Sequence, residues 1–311
     1  MEFKHIPIML NECIDGLDIK PNGVYVDATL GGAGHSSEIA KRLSKDGTLI
    51  GIDRDIEAIN ASKKRLENAK CKIHFVQDNF KNYQQIIQNL GIDKVDGILI
   101  DLGVSSYQID NAERGFSYRY DSPLDMRMNQ EETLTAEYIV NNYTYEQLIK
   151  IFFEYGEEDF SKIIARKIIE KRTQSPIKTT GELVKIIESS YPAKILHKGG
   201  SVAKKTFQAL RIEVNGELDE LDTVLEQMVN SLNKDGRLCV LTFHSLEDRI
   251  VKNVFRTLST DCICPKSLPI CVCHHKADIK LVNKKPIVAS DDEQKQNSRS
   301  TSCKLRIAQK L

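Results

Sequence analysis

The sequence predicts an α/β fold, a Rossmann-like and mostly parallel sheet interrupted by an inserted all-helical domain. Three observations lead there. Through about residue 110, short apolar runs alternate with amphipathic stretches of helical length, the pattern of βαβ units. A glycine-rich turn, Gly31-Gly-Ala-Gly34, directly follows the first of those runs. From about Glu113 to Arg211 the pattern is helical only, and strand character returns at Arg237.

Each element has its own signal. Val24–Ala28 (VYVDA) predicts the first strand, and His35–Leu43 a helix with Ile39, Ala40 and Leu43 on one face. Strand Thr48–Asp53, a helix from about Asp55 to Ala69, strand Lys72–Val76, a helix from about Tyr83 to Leu90 and strand Gly97–Asp101 follow. The strands read as unbroken apolar runs, as expected when helices cover both faces of a parallel sheet joined by right-handed crossovers. Within the insertion, Thr144-Tyr-Glu-Gln147 and Thr179-Thr-Gly-Glu182 fit capping boxes. Pro176 and Pro192 punctuate it, and Gly199-Gly200 is expected to be a joint. Strand Arg237–Thr242, a helix from about Leu246 to Leu258 with Ser245 as N-cap, and strand Cys303–Ala308 complete the reading. The expected domains are therefore 1–112 with 212–311, and an inserted 113–211.

Composition narrows the class. With 41% hydrophobic and 28% charged residues, the 311-residue chain has enough apolar material for a core, which excludes wholesale disorder. No apolar run approaches the roughly 18 residues of a membrane span, and MEFKHIPIML at the start lacks a signal-peptide pattern. Eight cysteines are too few for a secreted disulfide scaffold, so a reducing cytoplasm is expected. The 44 basic and 44 acidic side chains balance, yet Ser161–Arg211 holds 12 basic residues against Glu170, Glu182 and Glu188. That +9 window points to a polyanion-facing segment inside the insertion, or to a solvated helical face.

The strongest local signal is Asp27-Ala-Thr-Leu-Gly-Gly-Ala-Gly-His35, between a strand and a helix. Its glycines permit a tight turn and close backbone approach to a ligand at a helix N-terminus. Asp53 ends the second strand where an acid can accept ribose hydroxyls. This pattern fits a dinucleotide or S-adenosylmethionine. The dinucleotide fingerprint calls for Gly or Ala where Ser37 stands, and Asp27, Asp53, Asp78 and Asp101 all lie at early strand ends. Four carboxylates repel a pyrophosphate and suit a ribose, an amine and a sulfonium, which favours the methyl donor. Each acid alone would be an ordinary cap or turn residue.

At Asp101-Leu-Gly-Val-Ser-Ser106, Gln108 and Glu113-Arg-Gly-Phe-Ser117, the chain resembles the bacterial RsmH/MraW family. That family methylates the exocyclic N(4) amine of a cytosine in the decoding (P-site) region of 16S ribosomal RNA. The resemblance covers nearly the whole chain. It includes His5-Ile-Pro-Ile-Met-Leu10, Gly32-Ala-Gly-His35, Ile52-Asp-Arg-Asp55 and Ser122-Pro-Leu-Asp-Met-Arg-Met128. It continues through Phe207-Gln-Ala-Leu-Arg-Ile-Glu-Val-Asn215 and Phe243-His-Ser-Leu-Glu-Asp-Arg-Ile-Val251. It implies a class I methyltransferase fold, S-adenosyl-L-methionine as donor, and 16S rRNA within the small ribosomal subunit as partner. By motif, it places donor contacts at Ala33, Gly34, His35, Asp53, Phe80, Asp101 and Gln108. A fold-retaining, non-catalytic RNA-binding or assembly factor remains an alternative, as does an NAD-dependent oxidoreductase.

Methyl transfer to a cytosine amine needs acceptors for the amine protons, because the nitrogen lone pair is delocalised into the ring. Asp101, Asp125 and His244 are candidates, with no catalytic role assigned to any of them. The Asp/Asn-Pro-Pro-Tyr/Phe motif of many amine methyltransferases is replaced here by Asp101-Leu-Gly-Val. Tyr118, Tyr120 and Phe207 offer stacking surfaces for a base drawn out of its stack, or else belong to the core. Cys262-Ile-Cys264 and Cys271-Val-Cys273-His274-His275 concentrate metal-ligating side chains. Their spacing departs from the usual Cys-x₂₋₄-Cys, and the resemblance implies no metal, so a reduced, loop-stabilising cluster is expected. Cys13, Cys71, Cys239 and Cys303 read as small apolar residues.

Overall fold

The computed structural model describes residues 7–196, 201–262, 264, 265, 268, 270–273 and 275–311. The expected Gly199-Gly200 joint lies outside these residues. So do His5, Ile6, Lys198, Ile263 and His274 of the segments above.

The chain opens with α1 (Leu10–Leu17) and runs through β1 (Val24–Asp27), α2 (Gly34–Arg42), β2 (Thr48–Asp53) and α3 (Ile56–Arg65). Then come β3 (Lys72–Gln77), α4 (Tyr83–Asn89) and β4 (Val95–Asp101). A helical stretch follows: α5 (Ser106–Asp110), α6 (Ala136–Asn142), α7 (Tyr145–Glu154), α8 (Ser161–Arg172), α9 (Thr180–Ser189), α10 (Ala193–Leu196) and α11 (Lys204–Asn215). Beyond it lie α12 (Leu221–Ser231), β5 (Leu232–Thr242), α13 (Ser245–Leu258), β6 (Ile279–Leu281), β7 (Ile287–Val288), α14 (Asp291–Gln296) and β8 (Lys304–Lys310). The chain divides into two units, Met1–Gly103 with Glu220–Leu311, and Val104–Asp219. The helical unit thus opens at Val104 rather than 113 and closes at Asp219 rather than 211.

In the first unit the sheet order is β3-β2-β1-β4-β5-β8-β6, with β7 paired to β8. The first five strands are mutually parallel, and β8 runs antiparallel to β5 and β6. Alternation of side chains across the sheet explains the unbroken apolar runs. Val26, Ile98, Ile100, Leu238 and Val240 join one core with α4, α12 and α13, while Tyr25, Leu99, Cys239 and Leu241 join another with α1, α2 and α3. The edge strand β3 departs from the expectation, exposing Lys72, His74 and Gln77. Polar residues of this kind discourage pairing with a further strand.

Two boundaries differ for identifiable reasons. β5 begins at Leu232 rather than Arg237, because Leu232 pairs with Val95 before a register shift leads to the Gly97–Arg237 pair. The N-cap of α13 is His244, not Ser245: its Nδ1 accepts from the Glu247 N–H, and the Glu247 side chain accepts from the His244 N–H. A Ser245 box would need Asp248 to turn back. That carboxylate is instead bound by Arg306 Nε at 2.7 Å and Lys304 Nζ at 3.2 Å on β8.

The helical unit has its own core, including Leu148, Ile151 and Phe152 of α7, Ile164 and Ile168 of α8, Leu183 and Ile187 of α9, and Leu210 of α11. Both expected capping boxes, Thr144 with Gln147 and Thr179 with Glu182, are formed. Phe207 is buried in this core and meets Tyr118 edge-on, with ring centroids 5.7 Å apart. As a stacking surface for a base it is withdrawn; of the three aromatics considered, Tyr120 is the exposed one.

Candidate functional site at the strand ends

In an open parallel sheet the ligand crevice forms beyond the C-terminal ends of the strands, where the order reverses. Here the reversal lies between β1 and β4. The backbone N–H of Asp101, closing β4, donates to Thr29 Oγ1 at 2.6 Å, which ties the two strand exits together. After β1, Gly31 and Ala33 both adopt left-handed conformations, at φ 50° and 55°. For Ala33, the residue preceding α2, that conformation carries a steric cost glycine would not have. Gly34 is required for space, since a Cβ there would collide with the ring of Pro7.

The acids are held in set positions. Asp27 is buried and accepts from Ser36 Oγ at 2.6 Å and the Thr29 N–H at 3.3 Å. Asp53 accepts from the Gly31 N–H at 2.7 Å and the Asp55 N–H at 2.9 Å, so the end of β2 fixes the turn after β1. Burial pushes both carboxyls up to about 6 against an ordinary 3.8, even though these hydrogen bonds pull them down. Asp101 is pushed further, to about 8, first by burial and then by the charges of Asp27 and Glu247.

Asp101 Oδ1 is buried and has no hydrogen-bond partner among the described residues. Its Oδ2 lies 3.8 Å from Nδ1 of the buried His35, whose Nε2 donates to the Ile8 carbonyl at 3.1 Å. A proton on either Nδ1 or the carboxyl makes that approach attractive.

The structure therefore brings Ala33, Gly34, His35, Asp53 and Asp101 together around the strand ends. Phe80 opens a short 3-10 turn after β3, capped by Asn79, and packs half-buried against the core. Asp78 organises that turn, accepting from Asn79 N and Asn82 Nδ2 at 2.7 Å each. Gln108 belongs to the helical unit, where its carboxamide closes a capping box with Ser105 at the start of α5. Thr29, Ser36 and Glu247 were not singled out from the sequence. Thr29 and Glu247 nevertheless stand within the quoted motifs Asp27–His35 and Phe243–Val251, and Ser36 directly follows the first.

The pattern of charge tests the ligand class. A buried carboxylate oxygen without a partner, beside two more acids, is complementary to a cation and repels a pyrophosphate. The residues present fit S-adenosylmethionine, with its ammonium and sulfonium charges and its ribose. Strand order, the antiparallel β8 beside β5, and this acid-lined turn define a Rossmann-like methyltransferase. The chain belongs to the MraW methylase family, which matches residues 2–311. It is 58% identical over 311 residues to "Ribosomal RNA small subunit methyltransferase H" of Clostridium botulinum, with all of both chains covered. Proteins of the same name from Finegoldia magna and Clostridioides difficile are 53% and 50% identical, again over the full length of both chains.

Proposed function

We infer that the chain transfers a methyl group from S-adenosylmethionine to the exocyclic N(4) amine of a cytosine in the decoding region of 16S rRNA. The acceptor is RNA held in the small ribosomal subunit, in the cytoplasm. Methyl transfer rests on family membership, and rRNA on the names of full-length relatives. The observation that carries the site is the buried Asp101 oxygen, without a hydrogen-bond partner among the described residues, beside the acids at the β1–β4 reversal. No helix among the described residues is long and apolar enough to cross a membrane.

The donor supplies an electrophilic methyl group on a sulfonium; everything else falls to the chain. The turn through Ala33, Gly34 and His35 takes the methionine end, and Asp53, whose carboxylate retains further lone pairs, takes the ribose. Phe80 offers its ring to the adenine. Gln108 is assigned to the same ligand on motif alone. Asp101 faces the cationic part.

Of the three acceptors considered for the amine proton, Asp125 is bound by Arg127 through Nη2 at 2.6 Å and Nε at 2.9 Å, and so organises its own loop. His244 uses Nδ1 in the α13 cap. Both Asp101 Oδ1 and His244 Nε2 are buried without a hydrogen bond among the described residues, but His244 Nε2 faces Glu247 Oε1 at 3.0 Å, whereas Asp101 stands at the strand-end turn beside His35. Holding the amine nitrogen in line with the methyl carbon and the departing sulfur, while Asp101 accepts an amine proton off that axis, is where the rate acceleration arises.

The test uses small subunits from cells lacking this modification, incubated with the purified chain and isotopically labelled donor. Nucleoside mass spectrometry should find one labelled N(4)-methylcytidine per subunit, with much less label on naked 16S rRNA. Label on the ring carbon, or on another nucleotide, would refute the acceptor assignment. Donor binding without any transfer would favour the non-catalytic alternative.

A further inference from the structure

The segment joining α13 to β6 contains four cysteines that neither the donor site nor the helical unit uses. The sulfurs of Cys262, Cys264, Cys271 and Cys273 all lie within 4.8 Å of one another. Cys262 and Cys271 are 3.4 Å apart, Cys271 and Cys273 3.5 Å, and Cys262 and Cys273 3.8 Å. These separations are far beyond the roughly 2.05 Å of a disulfide bond. They match the edge, about 3.8 Å, of a tetrahedron whose centre binds sulfur at about 2.3 Å.

Burial does not account for the convergence. Cys13, Cys71, Cys239 and Cys303 are buried, whereas Cys262 and Cys271 are exposed and Cys264 and Cys273 half-exposed. The apolar residues between them also point outward, Ile270 at 75% exposure and Val272 at 64%. With its described apolar residues exposed, the segment requires another source of order, and metal coordination is one that couples directly to folding. Moreover, the Val272 N–H donates to Cys264 Sγ at 3.5 Å, the kind of bond that stabilises a metal-bound thiolate.

We propose that Cys262, Cys264, Cys271 and Cys273 form a tetrathiolate site for one zinc ion, which fixes the segment between α13 and β6. Four thiols and Zn²⁺ give a zinc tetrathiolate of charge −2 and four protons released to solvent, with no change of oxidation state. All four positions are filled by protein, so the site is structural and leaves no position for substrate. It lies apart in sequence from every residue assigned to the donor. This proposal stands against the expectation of a metal-free cluster: the Cys-x-Cys spacing is atypical, but the four sulfurs lie within 4.8 Å of one another.

The test is elemental analysis of untagged protein purified under reducing conditions, with Cys262→Ser, Cys264→Ser, Cys271→Ser, Cys273→Ser and the control Cys71→Ala prepared alongside. One zinc per chain is expected in the native protein and the control, and less than about a tenth of that in each serine variant. Substituting Co²⁺ should give the intense visible bands and sulfur-to-metal charge transfer of tetrahedral thiolate coordination. Removing zinc should speed protease cleavage between Cys262 and Cys273. The proposal is overturned if zinc is absent and Co²⁺ gives no such spectrum, or if any one of the four variants retains full zinc. It is likewise overturned by iron in place of zinc, or by an intact mass 4 Da low, which marks two disulfides.

Discussion

Asp101 sets stability against binding within one side chain. Its carboxyl is displaced upward by burial and by two neighbouring acids, so ionising it in the folded, donor-free protein is unfavourable. With folded values of about 8 for Asp101 and about 6 for Asp27 and Asp53, against an ordinary 3.8, the folded state retains protons that the unfolded chain releases. Between roughly pH 4 and pH 8, then, these groups make the donor-free protein less stable as pH rises. Donor binding has the opposite dependence. A cation selects the ionised carboxylate, so affinity weakens as pH falls through about 8, and binding near neutrality releases protons. Calorimetry in buffers of different ionisation enthalpy measures that release directly. Asp101→Asn should lower donor affinity roughly ten- to hundredfold. The same variant should melt higher than the native protein at pH 8, by roughly 2–4 °C for each kcal/mol of repulsion relieved. An affinity for the Asn variant equal to that of the native chain would remove Asp101 from the cation site.

At the scale of elements, the loop Ser122–Met128 is held by hydrogen bonds from residues distant in sequence. Asn215, at the end of α11, accepts from the Met128 N–H and donates to the Met126 carbonyl, both at 2.8 Å. Arg114 is buried and donates through Nη2 to the carbonyls of Arg127 and Met128. Thr180 pins the other end, accepting from the Ser122 N–H and donating its own N–H to the Ser122 carbonyl. Asn215→Ala should therefore cost about 2–4 kcal/mol in denaturant unfolding, since it strands buried backbone groups. Thr179→Ala should cost only about 1 kcal/mol, the worth of a cap. Equal losses would mean that Asn215 acts merely as a helix-end residue. Much of this architecture was legible beforehand. β2 has its expected ends, and both capping boxes form, because local hydrogen bonding and apolar periodicity decide them. What was not legible depends on partners distant in sequence. The N-cap of α13 moved to His244 because β8 takes Asp248. Phe207 went into the core against Tyr118, and the four sulfurs met only once the chain had folded back between α13 and β6. Among the site residues, the turn and its acids were visible as a motif. The Asp101 oxygen that lacks a partner among the described residues was not, since that depends on what surrounds a strand end in three dimensions.

Over the whole molecule, neutrality conceals a polarity that lies inside the helical unit rather than between the two units. Residues 104–160 carry 12 acids against four bases, and 161–211 carry 12 bases against three acids. Not all of that positive charge is available to a polyanion. Arg211 forms a two-point ion pair with Glu217 at 2.7 Å, Arg172 donates to the Val140 carbonyl, Lys167 binds Ser189, and Lys205 binds the Glu157 carbonyl. Lys162, Lys185 and Lys204 are among the exposed bases of the window, with Arg166, Lys178 and Lys194. If the basic half grips the RNA backbone, reversing Lys162, Lys185 and Lys204 to Glu should leave up to three phosphates without a neutralising cation. On single-stranded RNA, the slope of log affinity against log salt should then flatten by about 0.7 for each such phosphate. Affinity for small subunits should fall most at low salt, where released counterions contribute most. Donor affinity should stay at the native value, because none of the three lies in the unit that holds Asp53 and Asp101. An unchanged salt slope, measured on correctly folded protein, would mean that the window is a solvated helical face and that the RNA is held elsewhere.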